Sequence, residues 1–282
     1  MKVAGIVTLY YPDGDVLKNI ESYLSEIDQL YVIDNTPDKE NKEVLPNDKR
    51  VVYLPNHENV GVAKALNIGA KEAIKAGYSW LLTMDQDSRF KKGSVTKMIN
   101  YLNKNKNRKD IGLITPWHVI NTGVKKPKEK IDHPLEVMTS GNMINLEAYQ
   151  KIKGFKDWYF IDAIDIEYCM NLNRHGYKID RLNDVELKHD LGDIEVKHVL
   201  NRNFVCSNHN AFRRYFMVRN TFYLCQEYEK DFPEYCHFLK RGLRGQLQNI
   251  VLFEKNKIKK IRNMYRGYRD FKRNRKGEYP YH

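Results

Sequence analysis

A mostly parallel α/β sheet flanked by helices, followed by a C-terminal helical extension, is the fold class this sequence predicts. Three observations carry the prediction. Short apolar, β-branched runs alternate with amphipathic stretches through the first half of the chain. Polar residues gather directly after several of those runs, at the strand ends where ligands bind in parallel sheets. The last part of the chain changes character and becomes helical, aromatic and basic.

The elements follow in order. Residues 3–9 read as a buried strand, Pro12-Asp13-Gly14 as its turn, and about 15–24 as a helix. Residues 30–33 form a second strand ending at Asp34-Asn35-Thr36, and 50–54 a short third. A helix over 60–76 places Val62, Leu66, Ala70 and Ala73 on one face, with Gly77 as its stop. Residues 79–84 make a fourth strand, about 94–103 a helix and 111–114 another strand. Thr139-Ser140-Gly141-Asn142-Met143 is a small-residue passage where backbone can approach a ligand closely. Within 160–176, Ile164, Tyr168 and Leu172 recur at helical spacing, and Arg174-His175-Gly176 supplies a basic last turn and a glycine stop. Short strands are expected over 177–179 and 185–188, and helices from about 211. The expected boundary separates a sheet domain, 1–195, from a basic extension, 196–282.

With 282 residues, 41% hydrophobic, the chain can build one large domain and an extension. No stretch approaches the roughly 18 apolar residues of a membrane-spanning helix. The N-terminal apolar run reads as a first strand and not as a signal peptide. Cys169, Cys206, Cys225 and Cys236 show no C-x-x-C pair and no ligand spacing, which suits reduced thiols in a cytosolic protein. The charge is concentrated. Residues 237–282 hold 14 Lys or Arg against Glu254, Asp270 and Glu278, so +11 of the total +12 lies there. Such a block is often a solvated tail. Interleaved with Phe, Tyr, Ile and Leu, it also suits an anionic membrane surface, with nucleic acid as the rival partner.

The familiar nucleotide motifs are missing. Tyr10-Tyr11-Pro12-Asp13-Gly14 stands where a dinucleotide fold would carry G-x-G-x-x-G, and no G-x-x-x-x-G-K-[ST] occurs. Any bound phosphate must then be held by side chains and a metal. Met84-Asp85-Gln86-Asp87-Ser88 fits that need. Asp85 and Asp87, at i and i+2 on extended backbone, face the same way. Paired hard oxygen donors suit Mg²⁺ or Mn²⁺ on a phosphate; an acidic turn after a strand is the plainer account. Thr8, Tyr10, Asp34 and Asn35 also follow strands. Asp162, Asp165 and Glu167 crowd a helix start, where acids are ordinary stabilisers and where one could serve as a general base. His189 follows a strand too, as a structural histidine or a ligand.

Taken together, these residues resemble the inverting glycosyltransferases of family 2, which have the GT-A fold. The resemblance runs in order through Val7-Thr8-Leu9-Tyr10, Val32-Ile33-Asp34-Asn35, the passage Asn59 to Gly69, and Asp85-Gln86-Asp87-Ser88. Ser140-Gly141-Asn142, Gly154-Phe155 and Phe160 to Glu167 continue it. Asp-Gln-Asp-Ser with a later Phe-Ile-Asp-x-x-Asp, and then Arg213 to Asn220, is most similar to bacterial rhamnosyltransferases.

The resemblance implies roles. Thr8, Tyr10, Asp34, Asn35, Lys64 and Asp85 would bind the nucleotide sugar. Asp85, Asp87 and His189 would hold the Mg²⁺ or Mn²⁺ that offsets charge on the leaving diphosphate. Asp165 would be the base that activates an acceptor hydroxyl, although many relatives carry Glu-Asp where this chain has Ile164-Asp165. Asp162 is the other candidate base. Ser140, Gly141, Asn142, Trp158, Asp162 and Glu167 would line the acceptor side, with Trp158 stacking on a sugar or serving as core. The implied activity is transfer of L-rhamnose from dTDP-rhamnose onto a surface polysaccharide, such as an O-antigen or cell-wall glycan, or its lipid-linked precursor. A UDP-linked galactofuranose, glucose or galactose donor is the alternative. The basic extension would hold the enzyme peripherally at the inner face of a bacterial membrane, a homodimer being one state it allows. Two rivals explain less. A glycoside hydrolase uses paired carboxylates but needs no D-x-D, and a nucleic-acid binder leaves Asp34, Asp85, Asp87 and Asp165 without a task.

Overall fold

The computed structural model describes residues 1–119, 125–188, 195–199 and 202–281. They form two compact units, 1–157 with 165–190, and 158–164 with 191–282.

The first unit is built on one sheet. In chain order its elements are β1 (Val3–Leu9), α1 (Val16–Leu24), β2 (Gln29–Asp34), β3 (Val51–Pro55), α2 (Val62–Lys75), β4 (Trp80–Asp85) and β5 (Arg89–Phe90). There follow α3 (Ser94–Lys104), β6 (Ile111–Val119), β7 (Ile131–Asp132), β8 (Asn142–Asn145), α4 (Leu146–Lys151), α5 (Ile164–Arg174) and β9 (Lys178–Lys188). The strand order is β3-β2-β1-β4-β8-β6-β9-β5, with β7 beside β9. Strands β3, β2, β1 and β4 are mutually parallel, which aligns the ends carrying Asp34, Thr8 and Asp85. This is the α/β class the alternating pattern predicts.

Burial explains the pattern. Val3, Val7, Leu9, Val32 and Leu82 are fully buried, each side chain contributing about 1.5–3 kcal/mol on leaving water. Helix α1 buries Val16, Asn19, Ile20, Tyr23 and Leu24, one helical face, against this layer.

Two parts of the sheet differ from the sequence reading. The passage at 139–143 runs into a strand, β8, which lies antiparallel between β4 and β6. The two short strands expected over 177–179 and 185–188 are one continuous strand, β9. Its interior carries the buried polar residues Asp180 and Asn183, which read as loop in sequence. Their partners explain their tolerance there: Tyr101 donates to Asp180 at 2.7 Å, and the Asn183 amide donates to Glu129 O and Asp132.

The second unit holds the hairpin β10 (Glu195–Val199) and β11 (Arg202–Cys206), then α6 (Ala211–Tyr228), α7 (Pro233–Leu252) and α8 (Lys257–Lys272). Helices α6 and α8 meet closely at Gly267, where a Cβ would collide with the Tyr215 carbonyl. A buried ion-pair triad ties the three helices: Glu254, after α7, takes Arg214 at 2.7 Å and Lys260 at 2.7 Å. Burial opposes the Glu254 charge, but these two cations outweigh it and hold the carboxyl below its usual range. All four cysteines are buried free thiols.

Candidate functional site

The carboxyl ends of β2, β1 and β4 lie side by side, pairing Leu9 with Asp34 and Thr8 with Asp85 in the strand register. Each end is then fixed by its own hydrogen bonds. The Asp34 carboxylate, fully buried, accepts from Tyr53 OH at 2.7 Å, Asn41 Nδ2 at 2.9 Å and Thr36 N at 2.9 Å. Burial alone would raise its pKa, but these donors together lower it, so the charged form is built in. Asn35 is buried too; it donates to Gly61 O at 3.3 Å and accepts from Asn56 at 2.8 Å, tying the β2 loop to the start of α2. Lys64 stands exposed on the first turn of α2.

The D-x-D segment is held from both sides. Gln86 accepts from Tyr10 N at 2.8 Å and donates to Tyr10 O at 3.2 Å, while Asn19 donates to Gln86 O at 2.9 Å. Sequence reading passes over Gln86 as a spacer. On the other side, Asp85 N donates to Ser140 Oγ at 3.0 Å, and Ser140 Oγ bonds to Ser88 Oγ at 2.8 Å. Ser140 O is 2.7 Å from Nε2 of the buried His118, another residue the sequence did not flag. Asp85 is half-buried and Asp87 exposed. Gly141 has φ +80°, and a Cβ there would meet Leu187 and Pro116 at 2.8 and 2.9 Å. That passage accepts glycine alone without strain.

Asp165 opens α5 and is half-buried. It lines a small internal space with Thr83, Thr139, Asn142, Tyr168 and Cys169, which places it beside the end of β4. Asn142 Oδ1 and Thr8 Oγ1 are buried with no hydrogen-bond partner among the described residues. Glu167 is buried and paired with Lys156 at 2.9 Å.

Asp162 and Trp158 belong to the other unit. Arg213 grips the Asp162 carboxylate through Nη2 at 2.5 Å and Nε at 3.3 Å. The Trp158 ring is covered by Lys276 Nζ at 4.6 Å and meets Tyr223 edge-on at 5.0 Å. Phe160, Asp162 and Ala163 all have φ between 62° and 64°, an unfavourable left-handed backbone for side-chain-bearing residues. The fully buried Asn220 secures that turn, its amide donating to the carbonyls of Tyr159, Ile161 and Asp162 at 2.8–2.9 Å. His189 lies outside the described residues.

Among the described residues no three His, Cys, Asp or Glu side chains cluster as metal ligands. Asp85 and Asp87 nevertheless fit a cation of the Mg²⁺ type, which is commonly held by one or two carboxylates with substrate phosphates and water completing the shell.

Glycosyltransferase chemistry is the class that this sheet and its carboxylate-bearing strand ends define, and the chain belongs to glycosyl transferase family 2, whose match spans residues 9–162. It is 27% identical over 249 residues to the dTDP-rhamnosyl transferase RfbF of Shigella flexneri, covering 80% of each chain. Its fold is similar to that of S. aureus TarS 1-349 in complex with UDP-GlcNAc, with a TM-score of 0.59 and 16% identity over 96% of this chain and 80% of that one. GalNAc-T7 with UDP, GalNAc and Mn²⁺ is also similar, with a TM-score of 0.54 and 11% identity over 67% of this chain. This chain spans 43% of the length of that GalNAc-T7 chain. The fold is GT-A, with α6–α8 packed on one another at the C-terminus.

Proposed function

We propose that this family 2 glycosyltransferase moves L-rhamnose from dTDP-rhamnose onto a hydroxyl of a bacterial surface polysaccharide or its lipid-linked precursor. The observation that carries the donor is the likeness to a dTDP-rhamnosyl transferase across four-fifths of both chains. Thr8, Tyr10, Asp34, Asn35 and Lys64 bind the nucleotide part, Asp34 as a fixed charge beside the β1 and β2 ends. Asp85 and Asp87 would hold Mg²⁺ or Mn²⁺, which when bound offsets the charge of the departing diphosphate. Supporting this, the Gln86 and Ser140 bonds fix the loop that carries both carboxylates.

Asp165 takes the proton of the acceptor hydroxyl as that oxygen bonds to the anomeric carbon. The bond from that carbon to the diphosphate breaks in the same displacement, the nucleoside diphosphate leaves with the electron pair, and the configuration inverts. Asp165 returns the proton to water. Its half-buried place in the first turn of α5, near the end of β4, supports this role. Asp162, already gripped by Arg213, positions the turn before α5.

The enzyme works at the inner face of the membrane. No described helix is long and apolar enough to cross a bilayer. Helix α8 instead exposes Ile258, Ile261, Tyr265 and Tyr268, at i, i+3, i+7 and i+10, among lysines and arginines. Flotation with anionic liposomes should depend on residues 237–282; binding that survives their removal would reject this anchoring.

A calorimetric panel of dTDP-rhamnose, UDP-galactose and UDP-GlcNAc with Mn²⁺ tests the donor, and preference for a UDP-sugar would refute the rhamnosyl reading. Asp165→Asn should bind donor normally and turn over about 10²–10⁴-fold more slowly. Full activity in that variant would remove Asp165 from the base role.

A further inference from the structure

The strongest feature outside the donor end is a cavity of about 530 Å³ formed wholly within the C-terminal unit. Lys259, Arg262 and Arg266 of α8 line it, one helical stripe at i, i+3 and i+7. No Asp or Glu is among the described residues that line it. Lys260, also at the wall, is already neutralised by Glu254 at 2.7 Å. Lys259 and Arg262 have no ion-pair or hydrogen-bond partner for their side chains among the described residues, and both are exposed to the cavity's solvent.

Other features of the wall favour an anion in the same place. Asn256 begins the 16-residue α8 there, whereas the start of α6 is already capped by Asn210, which accepts from Arg213 N at 2.9 Å. Asn256 makes no side-chain cap, so the first N–H groups of α8 lack that acceptor. Arg266 lies over the Tyr281 ring at 4.4 Å, which fixes its guanidinium in the wall. Phe212, Tyr279 and Tyr281 add aromatic surface on which a sugar or alkyl group can rest.

We propose that this cavity is a second anion-binding site, built for a phosphate or diphosphate group. It is additional to the diphosphate of the donor and does not depend on the rhamnosyl assignment. Two guanidinium forks and an ammonium group around one concavity match phosphate oxygens in charge and geometry. The volume leaves room for a group attached to that phosphate.

The test titrates inorganic pyrophosphate into the full chain in EDTA, read by calorimetry, so that no divalent ion serves the donor end. Saturable binding is expected. Lys259→Gln with Arg262→Gln should weaken it about a hundredfold, the loss of two charge-assisted contacts worth roughly tenfold each. Asp87→Asn should leave it unchanged. Because both substituted side chains are exposed, thermal unfolding should match the unsubstituted protein, and Arg262→Gln alone serves as a second variant. Phosphatidylcholine vesicles with and without phosphatidic acid identify the source of the phosphate. Displacement from the phosphatidic acid vesicles by pyrophosphate assigns a lipid headgroup, and pyrophosphate binding without displacement assigns a soluble phosphate. Absence of pyrophosphate binding, binding indifferent to Lys259 and Arg262, or its loss in Asp87→Asn would overturn the proposal.

Discussion

The Gln86 side-chain amide and the Tyr10 main chain bond reciprocally, at 2.8 and 3.2 Å, across 76 residues of sequence. The loop after β1 and the loop after β4 are thereby tied together, and the middle residue of Asp85-Gln86-Asp87 is a link between them.

Gln86→Ala removes both bonds while leaving the carboxylates in place. Each such bond contributes about 0.5–1.5 kcal/mol. Steady-state kinetics should show the donor KM raised about tenfold, with a smaller fall in kcat. An unchanged KM would mean that the two loops hold their relation without the amide.

Asn220 is the clamp on the left-handed turn at 160–163. Asn220→Ala removes the donor that three carbonyls share, of which Tyr159 O keeps Ile161 N, and should cost about 1–3 kcal/mol in urea unfolding. Ala163→Gly should act in the other direction, because glycine adopts φ 62° without penalty. The double variant should recover part of the lost stability.

Glu254 joins Arg214 and Lys260 in a buried triad, and all three residues are 5% exposed or less. Breaking a buried pair strands charge in a poor solvent, at a cost of about 3–5 kcal/mol. Glu254→Gln should accordingly lower the thermal midpoint by many degrees. Arg214→Met combined with Lys260→Met and Glu254→Leu should be far milder than the single change, since no charge is then left behind.

Burial and the neighbouring Arg213 push the His209 imidazole down to about 4 from an ordinary 6.5. The unfolded chain thus binds a proton at a pH where the folded chain does not. Stability from this group is complete above pH 6.5 and drains away as pH falls toward 4. Allowing for its partial exposure, the loss is about 2 kcal/mol. Urea midpoints between those limits should fall less steeply in His209→Gln than in the unsubstituted protein.

The alternating first half was legible because each strand ends where its apolar run ends, so Asp34, Asp85 and Asp87 fall at strand termini by counting. Strand β8 was hidden, since Asn142 to Asn145 is only four residues long and lies between better signals. Strand β9 was split by Asp180 and Asn183, whose burial becomes acceptable only through Tyr101 and Asp132, distant in sequence. Gln86, His118 and Asn220 escaped for the same reason. Each acts through a main-chain partner that no local spacing announces. The C-terminal helices were visible as a class, but the cavity along α8 depends on which of its basic residues share a face with Tyr279 and Tyr281.

The turn at 158–164 is owned by the helices that follow it, and Asp165 is the next residue along the chain. Swapping C-terminal halves between related transferases would therefore carry an unadvertised dependency. A graft lacking counterparts of Arg213 and Asn220 would hand that turn back to ordinary dihedral preferences. Any exchange meant to alter membrane attachment alone should keep α6 native from Ala211 through Asn220.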